Sequence, residues 1–271
     1  MSDFLQLSGK KFLIFGVANK KSVAYHITKD LLECGSKCVL VVLNDEIRSR
    51  VGKLFPEIAA AGDIYCCDVE REEEITRVRD EIAARHDELF DGLVHSLAFA
   101  DYSRGIRPFH ETSPEAFLQA VHISCFSLTT IANAFQKMLT KTASVVTISI
   151  STTRLASASY GYMGPIKAAL DASLSFLVKS FSAFSEIRFN AVGSGPLKTS
   201  ASAGIPGYVD AYLYAEKLIP RRRNVATEEA ANTAVFLLSP RSSGITAQKI
   251  IVDAGMEINY FDQGIIDKVN H

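Results

Sequence analysis

The chain has 271 residues, a length that fits one large α/β domain or two small ones. With 48% hydrophobic and 22% charged residues, the composition excludes a disordered or fibrous protein. Twenty-nine basic residues against thirty acidic ones give a net charge of -1, which excludes the basic excess of a nucleic-acid-binding protein. Small molecules or proteins are therefore the expected partners.

The chain carries no sign of a membrane segment, a disulfide framework or a metal site. No apolar run is long enough to cross a bilayer, and the start, MSDFLQLSGKK, lacks the apolar core of a signal peptide, so we expect a cytoplasmic protein that binds no membrane. Its five cysteines form no CxxC pair and are expected to be free thiols. The histidines show no metal-ligand spacing, and His95, inside an apolar run, is expected to be a hydrogen-bonded core residue.

Seven short apolar runs predict β-strands. They are continuous rather than alternating, as expected of strands that a parallel sheet buries on both faces. The runs lie at residues 12–15, 38–43, 64–67, 93–97, 145–150, 187–192 and 249–252.

Helix-length segments separate these runs. Ser113 before Pro114 is typical of a helix start, and this helix is expected to extend toward Met138. Strands that alternate with helices predict an α/β fold, a single Rossmann-type doubly wound parallel sheet of about seven strands flanked by helices, in one domain over residues 1–271. Residues 196–220, rich in small residues and without clear periodicity, predict a flexible substrate-binding lid, with a tolerated surface loop as the alternative.

The loop after the first strand indicates a dinucleotide site. Gly16 ends the strand and is followed by the small residues Ser22 and Ala24, which is not the GxGxxG pattern but still lets a pyrophosphate approach the start of a helix. Asp45 follows the second strand, where an acid accepts hydrogen bonds from the adenosine ribose and repels a 2'-phosphate. NADH is therefore favoured over NADPH, and Arg48 is the residue that could reverse this preference.

Asp68 ends the third predicted strand. At that place its carboxylate can accept a hydrogen bond from the adenine amino group. A helix cap is the alternative role of this residue.

Tyr160 and Lys167 carry the reactive chemistry that the sequence suggests. They lie seven residues apart, which is about two helical turns and brings a phenol and an ammonium to one face. Such a pair can donate to a developing oxyanion and stabilise its charge. On spacing alone, an unrelated surface pair is an equal alternative.

The sequence around this pair resembles a known family. The pattern of a tyrosine, six residues and a lysine, within YxxMGxxK, is similar to that of the bacterial enoyl-[acyl-carrier-protein] reductases, a divergent branch of the short-chain dehydrogenase/reductase superfamily. GVANKKSVAYHI resembles that family's cofactor loop, CDV its adenine contact, HSLAFA its segment near the nicotinamide and GPLKT its later cofactor loop. The similarity runs from about residue 4 to residue 260.

The resemblance implies hydride transfer from NADH, or from NADPH, to a trans-2-enoyl thioester carried by acyl carrier protein in type II fatty acid synthesis. It implies that Tyr160 is catalytic and donates to the thioester oxygen, that Lys167 holds the nicotinamide ribose, and that the chain forms a homotetramer. It further implies that the lid, including Ala201, closes over the ligands. The cofactor contacts it implies are Gly16, Ser22, Val23, Asp68, Val69, Ser96, Leu97, Lys167, Leu197 and Thr199. The substrate contacts it implies are Met163, Ala98 and Ala201.

One position departs from the family pattern. Ile150 stands where the family carries a second active-site tyrosine. Two other kinds of function therefore remain open, a reductase of another, carbonyl substrate and a non-catalytic NAD-binding homologue.

Overall fold

The computed structural model describes residues 3–103, 105, 107–156, 161–259 and 261–269. The strands are β1 (Lys11–Phe15), β2 (Lys37–Val42), β3 (Ile64–Cys66), β4 (Phe90–His95), β5 (Leu139–Ile150), β6 (Arg188–Ser194) and β7 (Lys249–Val252). All seven pair in parallel in one sheet of order β3-β2-β1-β4-β5-β6-β7. The predicted doubly wound sheet is confirmed, with each predicted run in a strand.

Strand β5 differs most from its prediction, because it begins at Leu139 rather than at residue 145. Its first residues include the polar sequence TKT, so no apolar run marks them. A shift in register against β4, between the positions of Phe90 and Gly92, accompanies this extension. The local pattern therefore predicted only the buried part of the strand.

Helices pack on both faces of the sheet. In the described part of the chain they are α1 (Val23–Glu33), α2 (Asp45–Leu54), α3 (Pro56–Ala60), α4 (Glu72–Ala83), α5 (Pro114–Val121), α6 (Ser127–Phe135), α7 (Met163–Phe181), α8 (Ser200–Ala203), α9 (Tyr208–Leu218), α10 (Thr227–Leu238) and α11 (Gln263–Val269). The helix predicted from Ser113 toward Met138 is divided: a π-helical turn, His122–Phe126, separates α5 from α6, and a 3-10 turn, Gln136–Met138, follows.

The core has two layers, one on each face of the sheet. Successive residues of β1 point to opposite faces, so Leu13 and Phe15 join one apolar cluster while Phe12 and Ile14 join the other. Residues of α4, α6 and α7 complete the first cluster, and residues of α1 and α10 complete the second. Strands covered in this way explain the continuous apolar runs in the sequence.

The segment predicted as a lid contains two helices, although its sequence shows no clear periodicity. Thr199 caps α8 by accepting a hydrogen bond from the Ser202 N–H at 3.1 Å. The carbonyl of Leu197 accepts from the Ser202 hydroxyl at 2.8 Å and from the Tyr208 hydroxyl at 2.9 Å. These bonds tie both helices to the end of β6.

All five cysteines are free. Among the described residues, no helix combines the length and the apolar character needed to cross a bilayer. The same part of the chain contains no cluster of His, Cys, Asp and Glu side chains suited to a metal ion.

Candidate active site

The candidate site lies where the order of the strands reverses. Strand β1 pairs with β2 on one side and with β4 on the other, so the connections after β1 and after β4 leave the sheet in opposite directions. In open α/β sheets this divergence opens a crevice at the carboxyl ends of the strands, where ligands bind.

Gly16 allows the two connections to meet closely. Its φ is +97°, and a Cβ atom there would overlap the Ser96 carbonyl oxygen and come within 3.3 Å of Leu97 Cδ2. The Ser96 N–H donates to the Phe15 carbonyl at 3.1 Å. A side chain at position 16 would therefore collide with the backbone of Ser96, just after β4. The positive φ of residue 16 also disfavours any residue other than glycine.

The start of α1 faces this crevice. Ser22 is the N-cap and accepts a hydrogen bond from the Tyr25 N–H at 3.3 Å. Val23 is the first residue of the helix and is buried. The first N–H groups of a helix lack partners within it and carry partial positive charge, which suits a pyrophosphate. The loop before it reaches α8, since Asn19 Nδ2 donates to Ser200 Oγ at 2.7 Å.

Two acids lie on the other side of β1, after strands β2 and β3. Asp45, which begins α2, pairs with Arg48 at 2.7 Å. Asp68, after β3, accepts through Oδ1 from the Glu70 N–H at 3.1 Å. The N-cap of α4 is Arg71, so Asp68 shapes a local turn and is not the cap residue of that helix. The following residue, Val69, is buried in the core.

Lys167 lies under the middle of the crevice. It is buried on α7, and its Nζ donates to the carbonyl oxygen of Ile148 at 2.9 Å and to that of Leu97 at 3.2 Å. Burial lowers the pKa of this ammonium to about 8, because desolvation disfavours the charge, whereas the neighbouring Asp171 and Cys125 raise it. Lys167 is thus held between β5 and the segment that follows β4.

Tyr160 lies outside the residues that the structure describes. The next residue, Gly161, has φ +58°, and a Cβ atom there would lie 3.6 Å from Tyr102 Cε1. Gly161, Tyr102 and Tyr162 line a pocket of about 520 Å³. The Tyr162 hydroxyl donates to the Asp101 carbonyl at 3.1 Å. A cavity therefore adjoins the position that follows Tyr160.

The three predicted substrate residues have different surroundings. Met163 is buried at the first position of α7, one turn before Lys167. Ala98 is exposed after β4, and Ala201 is exposed on α8. None of the three lines the pocket beside Gly161.

The predicted cofactor residues fall into connected groups. Direct contacts link Gly16, Ser96, Leu97 and Lys167. Leu197 and Thr199 belong to the connection from β6 to α8, while Asp68 and Val69 follow β3 on the far side of β1. Apart from Lys167, which lies on α7, these positions follow the carboxyl ends of strands β1, β3, β4 and β6.

The sequence did not reveal Ser124. This buried residue in the π-helical turn donates to the Phe99 carbonyl at 2.9 Å, and its oxygen accepts from the Phe99 N–H at 2.8 Å. It fixes the segment that contains Leu97 and Ala98. The only local signal was a polar residue in a largely apolar helical stretch.

A seven-stranded parallel sheet, a tight Gly16 turn before a helix, and a buried lysine at the reversal point define a Rossmann-type oxidoreductase of the short-chain dehydrogenase/reductase class.

Comparisons with known proteins give the family. Residues 16–257 match the model of the family described as enoyl-(acyl carrier protein) reductase. The chain is 36% identical to the NADH-dependent enoyl-[acyl-carrier-protein] reductase of Nostoc sp., over 94% of this chain and 98% of that protein. It is 34% identical to the NADPH-dependent enzyme of Staphylococcus aureus, over 93% and 98% of the two chains. The crystal structure of FabI from Candidatus Liberibacter asiaticus superposes with a TM-score of 0.88 and 31% identity, covering 95% of this chain and 98% of that one. This chain belongs to the enoyl-[acyl-carrier-protein] reductase family, whose members use NADH or NADPH.

Proposed function

We propose that this chain is an enoyl-[acyl-carrier-protein] reductase of type II fatty acid synthesis that takes a hydride from NADH, with NADPH as the alternative donor. The observation that carries the proposal is Lys167, a buried ammonium at the crevice, seven residues after Tyr160 in the family's spacing. We further propose one domain over residues 1–271, assembled as a cytoplasmic homotetramer, as the family resemblance implies.

The polar and backbone groups around the crevice fit a nicotinamide dinucleotide. The start of α1, with Ser22 and Val23, would hold the pyrophosphate. Asp68 and Val69 would contact the adenine, and Lys167 would bind the nicotinamide ribose hydroxyls. The remaining positions that would line the cofactor are Gly16, Ser96, Leu97, Leu197 and Thr199. Gly16 lets the turn before α1 pack against the Ser96 backbone without a side chain between them.

Tyr160 and Lys167 would divide the chemistry at the substrate. When bound, the reduced nicotinamide supplies a hydride for the β-carbon of the enoyl thioester. Tyr160 would donate a hydrogen bond to the thioester oxygen and stabilise the negative charge that develops there. The Lys167 ammonium would favour that charge while orienting the ribose. Met163, Ala98 and Ala201 would contact the acyl chain, and closure of α8 and α9 would exclude water.

Ile150 favours a second candidate, reduction of a carbonyl compound. It is half-buried at the end of β5 and has no hydroxyl to replace the family's second tyrosine. The same cofactor site would serve this reaction, so the substrate alone separates the two candidates.

Loss of NADH absorbance on adding a trans-2-enoyl thioester tests the proposal. We expect turnover by the wild type and a loss of about a hundredfold or more in Tyr160→Phe, with unchanged NADH binding. Tyr162→Phe is the matched control, because its hydroxyl donates to a backbone carbonyl. Turnover of a ketone but not of the enoyl thioester would favour the second candidate. NADH binding with neither activity would identify a non-catalytic homologue.

A further inference from the structure

Lys249 reaches across the sheet to a carboxylate beneath the candidate active site. It begins β7, yet its Nζ lies 2.9 Å from Asp171 Oδ2 on α7. The two side chains are only 20% and 16% exposed. An ion pair with so little solvent contact loses much of its attraction to desolvation, so net stability alone does not account for it.

Gly193 opens the path of the Lys249 side chain. It lies in β6, between Ser149 of β5 and Ile251 of β7. A Cβ atom at Gly193 would lie 3.0 Å from Lys249 Cδ and 3.1 Å from Lys249 Cγ, closer than ordinary packing allows. Its φ is not positive, so an added methyl group here would press on the side chains of Lys249 and Ile251 without straining the backbone.

The ion pair also fixes the carboxyl end of β5. Ser149 Oγ donates to Asp171 Oδ1 at 2.6 Å. Lys249 Nζ donates to Thr153 Oγ1 at 2.6 Å and to the Ile150 carbonyl at 3.4 Å. The start of the segment that leads to Tyr160 is therefore tied to α7 by the same two charges.

Asp171 follows Lys167 by one helical turn, a spacing that brings side chains together on a helix. Among the described residues, Asp171 on the same helix and Cys125 in the π-helical turn both raise the pKa of the Lys167 ammonium. The charge of Lys167 in turn lowers the pKa of His95 in β4. His95 is neutral at physiological pH, so Asp171 is the charged partner whose removal changes Lys167 most.

We propose that Asp171 and Lys249 are positioning residues for Lys167: their ion pair anchors the end of β5 to α7 and holds a carboxylate where it keeps the Lys167 ammonium protonated for cofactor binding. This inference rests on the proposed role of Lys167 at the nicotinamide ribose. Lys249 partly neutralises the negative charge of the Asp171 carboxylate. Removing Asp171 therefore makes the surroundings of Lys167 more positive, whereas removing Lys249 makes them more negative.

The test measures NADH affinity by fluorescence titration across the alkaline range, in which affinity is lost as Lys167 releases its proton. In Asp171→Asn we expect the midpoint of this loss to fall by about one pH unit, because a favourable charge is gone. In Lys249→Met the midpoint should rise, because the carboxylate then acts on Lys167 alone. Gly193→Ala should reproduce the Lys249→Met result by displacing the lysine.

Lys37→Met is the matched control, since it removes an exposed strand lysine from an ion pair with Glu88 at 3.4 Å. It should leave the midpoint unchanged. Asp171→Glu keeps the charge and should retain the wild-type midpoint even if Asp171→Asn folds poorly. Equal midpoints in all variants, or shifts of one sign in both Asp171→Asn and Lys249→Met, would overturn the inference. A wild type that binds NADH but reduces no enoyl thioester would overturn the proposed function instead, and the binding shifts would still decide the role of the pair.

Discussion

The backbone of Gly16 packs directly against the carbonyl group of Ser96, which joins the connection after β1 to the connection after β4. The contact exists only because residue 16 has no Cβ and adopts φ +97°. It brings the two connections together at the carboxyl end of the sheet, where the cofactor would bind.

We predict that Gly16→Ala weakens NADH binding by about tenfold or more, equivalent to ~1.4 kcal/mol. The methyl group would force apart the Gly16 and Ser96 backbones and would also strain a left-handed conformation. Isothermal titration with NADH measures the effect. Gly9→Ala is the control, because Gly9 also has positive φ but has no atom within 4 Å of its added Cβ. Equal NADH affinity in the two variants would contradict the packing argument.

Ser124→Ala should lower both stability and NADH affinity. The variant leaves the Phe99 N–H and carbonyl without the hydroxyl that now binds both, and each lost hydrogen bond contributes about 1 kcal/mol. Urea denaturation and NADH titration measure the two effects. Ser175→Ala removes a hydroxyl that donates to the Ala172 carbonyl on the exposed side of α7, and it serves as the control. Wild-type NADH affinity in Ser124→Ala would show that the segment after β4 is fixed by other contacts.

His95 makes the protein sensitive to acid. It is fully buried, and its ring nitrogens lie 2.8 Å from Thr147 Oγ1 and from Ser127 Oγ. Burial is the main cause that lowers its pKa to about 3, and the charge of Lys167 adds to it. The unfolded chain takes up a proton near pH 6.5 while the folded chain does not, so stability is complete above about pH 6.5 and falls as the pH drops toward 3.

His95→Gln should therefore flatten the dependence of the free energy of unfolding on pH. The loss attributable to His95 is about 3 kcal/mol by pH 4, since each pH unit corresponds to about 1.4 kcal/mol. Urea denaturation between about pH 4 and pH 7 measures it. The exposed His110→Gln is the control and should keep the wild-type slope. The same slope in His95→Gln and wild type would mean that His95 is protonated in the folded state.

Cofactor choice should depend on the pair of Asp45 and Arg48. The carboxylate repels a 2'-phosphate and also holds the guanidinium at 2.7 Å, so we expect a higher kcat/KM with NADH than with NADPH. In Asp45→Asn, Arg48 is released and kcat/KM with NADPH should rise about tenfold. Glu46→Gln is the control, because Glu46 pairs with Arg50 at 2.7 Å on the same helix. An equal rise in both variants would indicate a general effect of charge on α2.

Several parts of the site could be predicted because a short stretch of sequence encodes each of them. A strand covered on both faces must be apolar at successive positions, so all seven strands were visible as runs. Gly16 and the start of α1 follow from local chemistry, because a left-handed residue and an N-cap each favour a few residue types. The start of β5 was missed, since its polar residues and its shifted register leave no such run.

The sequence by itself determined the succession of strands and helices along the chain, the glycine turn, and the seven-residue spacing of Tyr160 and Lys167. Only the tertiary structure decided which distant residues support them. The pairing of Asp171 with Lys249, the passage over Gly193 and the bonds of Ser124 to Phe99 join residues from separate elements. Such contacts depend on the order and register of strands in the sheet, which bring together side chains that no local pattern relates.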